Sequence, residues 1–189
     1  MADIFLSYRR QDSSSATGRL ADRLEQHFGP HRVFRDYDSI VAGSDFAQAI
    51  YGAISVSVVV LAVIGPTWAD ARDAEGMRRL DDERDFVRLE IEAALRAGVP
   101  IIPVLVEGAK MPPADALPAS LQDFARCQAV DLAETRWRDD AERLIANLQP
   151  TSLASSTGPY ANLEATLEAG VGLLRFRAGP GGALAPVAE

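Results

Sequence analysis

A single cysteine, Cys127, and two histidines, His27 and His31, are all that this 189-residue sequence offers to thiol or transition-metal chemistry. One cysteine forms no intramolecular disulfide, and with no secretory signal at the start of the sequence a reducing, cytoplasmic location is expected. Without a Cys/His cluster no metal site is expected either. Basic residues are also scarce: 19 Lys and Arg stand against 27 Asp and Glu, for a net charge of −8 and a pI near 4.8. That balance argues against nucleic acid as a partner, because such surfaces carry a basic stripe. No apolar run approaches the roughly 20 residues of a membrane helix. Val56 to Ile64 comes nearest, and Gly65-Pro66 ends it as a strand ends. The first apolar segment is not followed by Gly-x-Gly-x-x-Gly, and P-loop and Ser-His-Asp signatures are missing, which excludes the commonest dinucleotide cradle, NTPase and hydrolase plans. A phospho-acceptor receiver is excluded too, since the third strand signal ends without an aspartate.

What is present alternates regularly. Ala2 to Tyr8 reads as a strand, Arg9 to Ser15 as a polar turn, and Leu20, Leu24 and Phe28 mark a helix stopped by Gly29-Pro30. Arg32 to Arg35 is a second short strand, and Asp36 to Gly43 a loop before a helix faced by Phe46, Ile50, Ala53 and Ile54. The β-branched run Val56 to Ile64 suits a central strand covered on both faces. Thr67 to Asp82 reads as loop, Asp85 to Ala97 as helix, and Val99 to Val106 as strand, with Pro103 predicting a bulge or an edge. Met111 to Pro118 is a loop, Cys127 to Leu132 a last strand and Trp137 to Leu148 a last helix. This order predicts an α/β, flavodoxin-like, doubly wound sheet of five parallel strands flanked by helices, in a domain spanning 1–149. Residues 150–189 turn Ser/Thr-rich and then Gly/Ala/Pro-rich, as in a linker and a flexible tail; Tyr160, Leu163, Leu167, Val171 and Leu174 stripe one short helix between them.

Within the helix Asp85 to Ala97, Glu90 interrupts the apolar stripe of Phe86, Val87, Ile91, Ala94 and Leu95, whereas Arg84, Arg88, Glu92 and Arg96 mark the wet face. A carboxylate in that stripe must be paired, face a polar cleft or carry a raised pKa. In a parallel sheet ligands bind at the carboxyl ends of the strands. That edge receives Tyr8, Arg9 and Arg10 from the first strand, Asp36 from the second, Trp68 after the third, and Phe86 with Glu90 from the helix. Guanidinium groups, aromatic faces and carboxylates together suit a nucleotide.

The segments Asp3-Ile4-Phe5-Leu6-Ser7-Tyr8-Arg9-Arg10, Val33-Phe34-Arg35-Asp36 with its loop ending Ala42-Gly43, and Asp85-Phe86-Val87-Arg88-Leu89-Glu90-Ile91 resemble, in order, successive motifs of Toll/interleukin-1 receptor (TIR) domains. Trp137 falls where the last aromatic motif of that family lies. The resemblance covers residues 1–149 and implies that Tyr37, Ile40, Val41 and Gly43 belong to the BB loop, the segment through which TIR domains assemble. The third segment resembles that of NAD-cleaving TIR domains of the bacterial type, whose catalytic glutamate maps onto Glu90. Phe86 and Val87 stand where those enzymes commonly carry tryptophan and cysteine.

The resemblance implies an NAD+ hydrolase or cyclase that cleaves the nicotinamide–ribose bond, in bacterial anti-phage signalling, activated by self-association or by another TIR or sensor protein. Glycosidases use two carboxyl groups because a leaving alcohol must be protonated. Nicotinamide leaves as a neutral base, so one carboxylate that stabilises the oxocarbenium-like ribose suffices. Glu90 is expected to take that role, with a base stacked on Phe86 or Tyr8, phosphate near Arg9 or Arg10, a ribose or supporting contact to Asp36, and Trp68 among the substrate-binding residues. NAD+ is the substrate and no cofactor is expected. The rivals are a non-catalytic TIR adaptor and a domain that senses NAD without cleaving it; Glu90 within the apolar stripe favours the enzyme.

Overall fold

The computed structural model describes residues 4–34, 46–154, 166–168, 173–178 and 184–186. The chain divides into two compact units, Met1–Gln149 and Pro150–Glu189. In the first, β1 (Ile4–Tyr8), β2 (Val33–Phe34), β3 (Val59–Ile64), β4 (Ile101–Val106) and β5 (Val130–Leu132) form one parallel sheet in the order β2-β1-β3-β4-β5. β3 is buried at every position, as a β-branched strand covered on both faces must be. The order reverses between β1 and β3, whose register runs from Ile4↔Val59 to Tyr8↔Val63.

Alternation along the strands divides the core in two. Ile4 and Leu6 of β1 and Leu61 and Val63 of β3 pack with Leu20 and Leu24 of α1 (Arg10–Phe28) and Leu144 and Leu148 of α4 (Trp137–Ala154). On the other face Phe5 and Val60 meet Ile50 and Ile54 of α2 (Phe46–Ser55) and Ala93 and Ala94 of α3 (Phe86–Ala97). Ala62, Ile64, Val87 and Ile91 continue that face towards Leu121 and Phe124, on a 3-10 helix at Ala119–Arg126 that sequence periodicity does not reveal.

Several expectations are corrected. The polar stretch at Arg9 to Ser15 is already helical from Arg10, with Ser13 at φ −139° and ψ 20° interrupting the geometry. Side chains that usually favour turns are held here by contacts from outside the helix, above all at Asp12. Pro103 is neither a bulge nor on an edge strand, since β4 lies between β3 and β5. The Pro100 carbonyl accepts from Val60, which by alternation turns the Pro103 nitrogen towards β5, and the β5 ladder begins only at Val104↔Val130. The proline forfeits no ladder bond. Arg88 and Glu92 are not solvated helix surface: they pair at 2.7 Å, Ser120 donates to Glu92 at 2.6 Å, and Arg88 reaches the carbonyls of Leu80 and Asp81.

In the second unit β6 (Thr166–Glu168), β7 (Leu173–Ala178) and β8 (Leu184–Pro186) form an antiparallel sheet in that order. Leu167 and Leu174 therefore pair across strands instead of striping a helix, while Tyr160, Leu163 and Val171 lie outside the described residues. Leu173 to Ala178 reads with a period of two as readily as with one of 3.6, and Gly170 and Gly172 weaken the helical option. α4 continues through Pro150 to Ala154, past the expected end at Leu148. Because the five-stranded sheet draws nothing from beyond α4, a chain ended after Ala154 is expected to keep a single cooperative unfolding transition, checked by thermal denaturation.

Candidate active site

The site grows from α3. Asp85 is its N-cap, with φ −63° and ψ 124° and a carboxylate that accepts the Arg88 amide at 3.1 Å; Gly98, in the left-handed region at φ 66°, ends it. With both ends fixed, the helix turns Val87, Glu90, Ile91 and Ala94 inwards. Glu90 is 1% exposed. On the sheet below, Ser7 projects from the same face of β1 as Phe5 and is wholly buried.

Burial among apolar neighbours raises the Glu90 pKa from 4.5 to about 8, while the Ser7 hydroxyl and the Arg9 guanidinium pull it down. Ser7 Oγ and Glu90 Oε2 are both buried without a hydrogen-bond partner among the described residues, and the hydroxyl stands close enough to favour the ionised carboxylate. Of the three options open to an acid in an apolar stripe, the fold takes the raised pKa.

This carries a stability consequence. Between pH 4.5 and about 8 the folded chain keeps the Glu90 proton that the unfolded chain has released, so folding becomes less favourable as pH rises through that window. The slope from this group is about 1.4 kcal/mol per pH unit at most. Below pH 4.5 the carboxyl is protonated in both states and the effect vanishes. Glu90→Gln is therefore expected to unfold later than the parent at pH 8 and nearly alike at pH 4, as measured by urea denaturation at both values.

Arg9 is not available to a phosphate. It is 2% exposed, its two terminal nitrogens donate to the Asp85 carboxylate at 2.9 and 3.0 Å, and Nε donates to the Trp68 carbonyl at 2.8 Å. Arg79 adds a second cation to Asp85 at 3.1 Å. Trp68 is likewise withdrawn: it is 0% exposed, its ring lies 5.7 Å from that of Phe124, and it packs in the core instead of presenting a face to a ligand. Its position after β3 placed it at the right edge of the sheet, but the chain folds the indole back beneath. Phe86, 44% exposed, stands at the open side of α3 one turn before Glu90, Arg10 is exposed at the start of α1, and Tyr8 is half-buried. Asp36, Tyr37, Ile40, Val41 and Gly43 lie outside the described residues.

Two aspartates of structural weight have no assigned role in the sequence reading. Asp85 opens the TIR-like segment that ends at Ile91, but its bond to a residue 76 positions away leaves no periodic trace. Asp12 receives the amides of Gly65 and Thr67 at 2.9 and 2.7 Å and the Thr67 hydroxyl at 2.7 Å, tying α1 to the end of β3 at the switch point. A Cβ at position 65 would stand 2.4 Å from that carboxylate, which explains the glycine.

A 2-1-3-4-5 parallel sheet flanked by helices defines a doubly wound α/β domain of the flavodoxin-like kind. The family model of the TIR domain matches residues 4–145, and the chain belongs to that family. Solved structures with the same fold include the TIR domains of the activated Roq1 resistosome directly recognizing the pathogen effector XopQ, at 15% identity and TM-score 0.51, covering 79% of this chain and 98% of that one. The TIR domain of the Toll-related receptor TRR-2 of Hydra magnipapillata matches at 16% and 0.51, over 80% of this chain and 99% of that one. A metazoan TIR-STING receptor from C. gigas, in complex with 2',3'-cGAMP, matches at 21% and 0.50, over 75% of this chain and 38% of that one. No helix among the described residues is long and apolar enough to cross a membrane.

Proposed function

We propose that this TIR domain is an NAD+ glycohydrolase that cleaves the nicotinamide–ribose bond, releasing nicotinamide and ADP-ribose or a cyclic isomer, with Glu90 as the catalytic carboxylate. The observation that carries the reading is the placement of Glu90: a buried carboxyl with one oxygen unpartnered among the described residues, close to the Ser7 hydroxyl that favours its ionised form. Such groups are rare in a settled core, and a purely structural acid would have been paired. A cationic ribose brought against Glu90 would favour the carboxylate over the acid by Coulomb attraction. Ionisation would then come with substrate, where the charge is needed. We further assign the protein to bacterial anti-phage signalling in the cytoplasm, acting by self-association or with another TIR or sensor protein.

Because Glu90 is closed to solvent in this fold, cleavage requires an opening step, and we assign that step to self-association. Tyr37, Ile40 and Val41 give the sequence before α2 apolar groups suited to a partner surface. Nicotinamide release per molecule is expected to climb with protein concentration in step with assembly seen by light scattering. A flat specific activity through the assembly range would defeat this part. A TIR adaptor would assemble over the same range and release no nicotinamide.

A further inference from the structure

With Arg9 committed to Asp85, a dinucleotide substrate needs another seat for its phosphates. Beside the first turn of α3 lies an open groove of about 290 Å³, walled by Arg72, Arg79 and Arg84, by Gln11 of α1 and by Phe86. Its aspartates are occupied. Asp73 accepts the Met77 amide at 2.7 Å, Asp82 accepts the Arg84 amide at 2.9 Å, and Asp85 is shared between Arg79 and the buried Arg9. Three guanidinium groups and three carboxylates line the groove, and Asp85 is already neutralised by the buried Arg9 behind it. Arg84 is exposed and has no side-chain hydrogen bond or ion pair among the described residues, while Arg72 gives one terminal nitrogen to the Gly76 carbonyl and forms no ion pair among them.

We propose that this groove is the pyrophosphate subsite of the dinucleotide, with Arg84 and Arg72 as its contacts and Phe86 against the neighbouring base. The assignment rests on the reading of Glu90 as the cleavage residue, because Phe86 is one helical turn from Glu90 and links the groove to it. The volume suits part of a dinucleotide, being at the lower limit of the roughly 300–1,000 Å³ typical of ligand cavities. Arginine forks match phosphate oxygens in pairs, and Arg84 has its fork open.

The test is calorimetric titration of the full chain with ADP-ribose, inorganic pyrophosphate and adenosine. Arg84→Glu and Arg72→Gln should each weaken ADP-ribose by about 10-fold or more, the loss of a charged hydrogen bond. Arg84→Lys should recover part of it, and added salt should reduce the difference. Pyrophosphate should compete with ADP-ribose, and adenosine affinity should not depend on Arg84. Thermal unfolding controls for folding, and Arg84, being exposed and unpaired, tolerates the change. In turnover, KM for NAD should rise with the rate at saturation kept. ADP-ribose affinity indifferent to both substitutions, or no ADP-ribose binding at all, overturns the subsite. Arg84-dependent binding without any nicotinamide release would keep the subsite and defeat the cleavage reading; cleavage with KM unmoved by Arg84→Glu would do the reverse.

Discussion

Glu90→Gln is expected to lower nicotinamide release from NAD by about 100- to 1,000-fold, the scale of losing one transition-state electrostatic contact, about 2.7–4 kcal/mol. The amide keeps the shape of the side chain and removes the charge that meets the developing ribose cation. It also removes the cost of ionising a buried group, so the same variant is expected to be more stable than the parent at pH 8. Loss of activity with gain of stability separates a catalytic role from a structural one, since a structural acid would give stability up when replaced. In the parent, kcat/KM should rise with pH and level off above about 8, where free Glu90 becomes ionised. Parent-like turnover by the variant, or a rate flat from pH 6 to 9, would remove Glu90 from the chemistry.

The second large effect belongs to Asp85→Ala, expected to destabilise the domain by about 3–5 kcal/mol in urea denaturation. Loss of a helix N-cap alone costs about 1 kcal/mol, so a result at that level would mean that the ion pair contributes little. The larger figure follows from Arg9, which is 2% exposed and would be left as an uncompensated buried guanidinium. Arg9→Met with Asp85→Leu should lose less than either single change, because no charge is then stranded. A double variant as unstable as the sum of the singles would show that the two residues act independently.

Glu90 was legible in the sequence because helical periodicity alone puts it among Val87, Ile91 and Ala94, and the fold keeps that face inward. β3 was legible for a similar reason, a β-branched run closed by Gly65-Pro66. Arg9 and Trp68 were placed at the correct edge of the sheet, yet what they do there is decided by contacts: a fork onto Asp85 and an indole against Phe124. Pattern reading locates an edge but not the direction a side chain takes from it. The 3-10 helix at Ala119–Arg126 escaped because its two buried residues, Leu121 and Phe124, recur too briefly to establish a period. The helical start of α1 escaped because Asp12 and its serines favour turns locally, and the Asp12 bonds to Gly65 and Thr67 override that preference.

Incubation of the purified chain with NAD at pH 8, following free nicotinamide over a range of protein concentrations, tests the central claim most directly. Nicotinamide should accumulate, faster per molecule as the protein assembles, and should be lost with Glu90→Gln. Assembly without nicotinamide, or equal release by parent and Glu90→Gln, would contradict the assignment of this TIR domain as an NAD-cleaving enzyme.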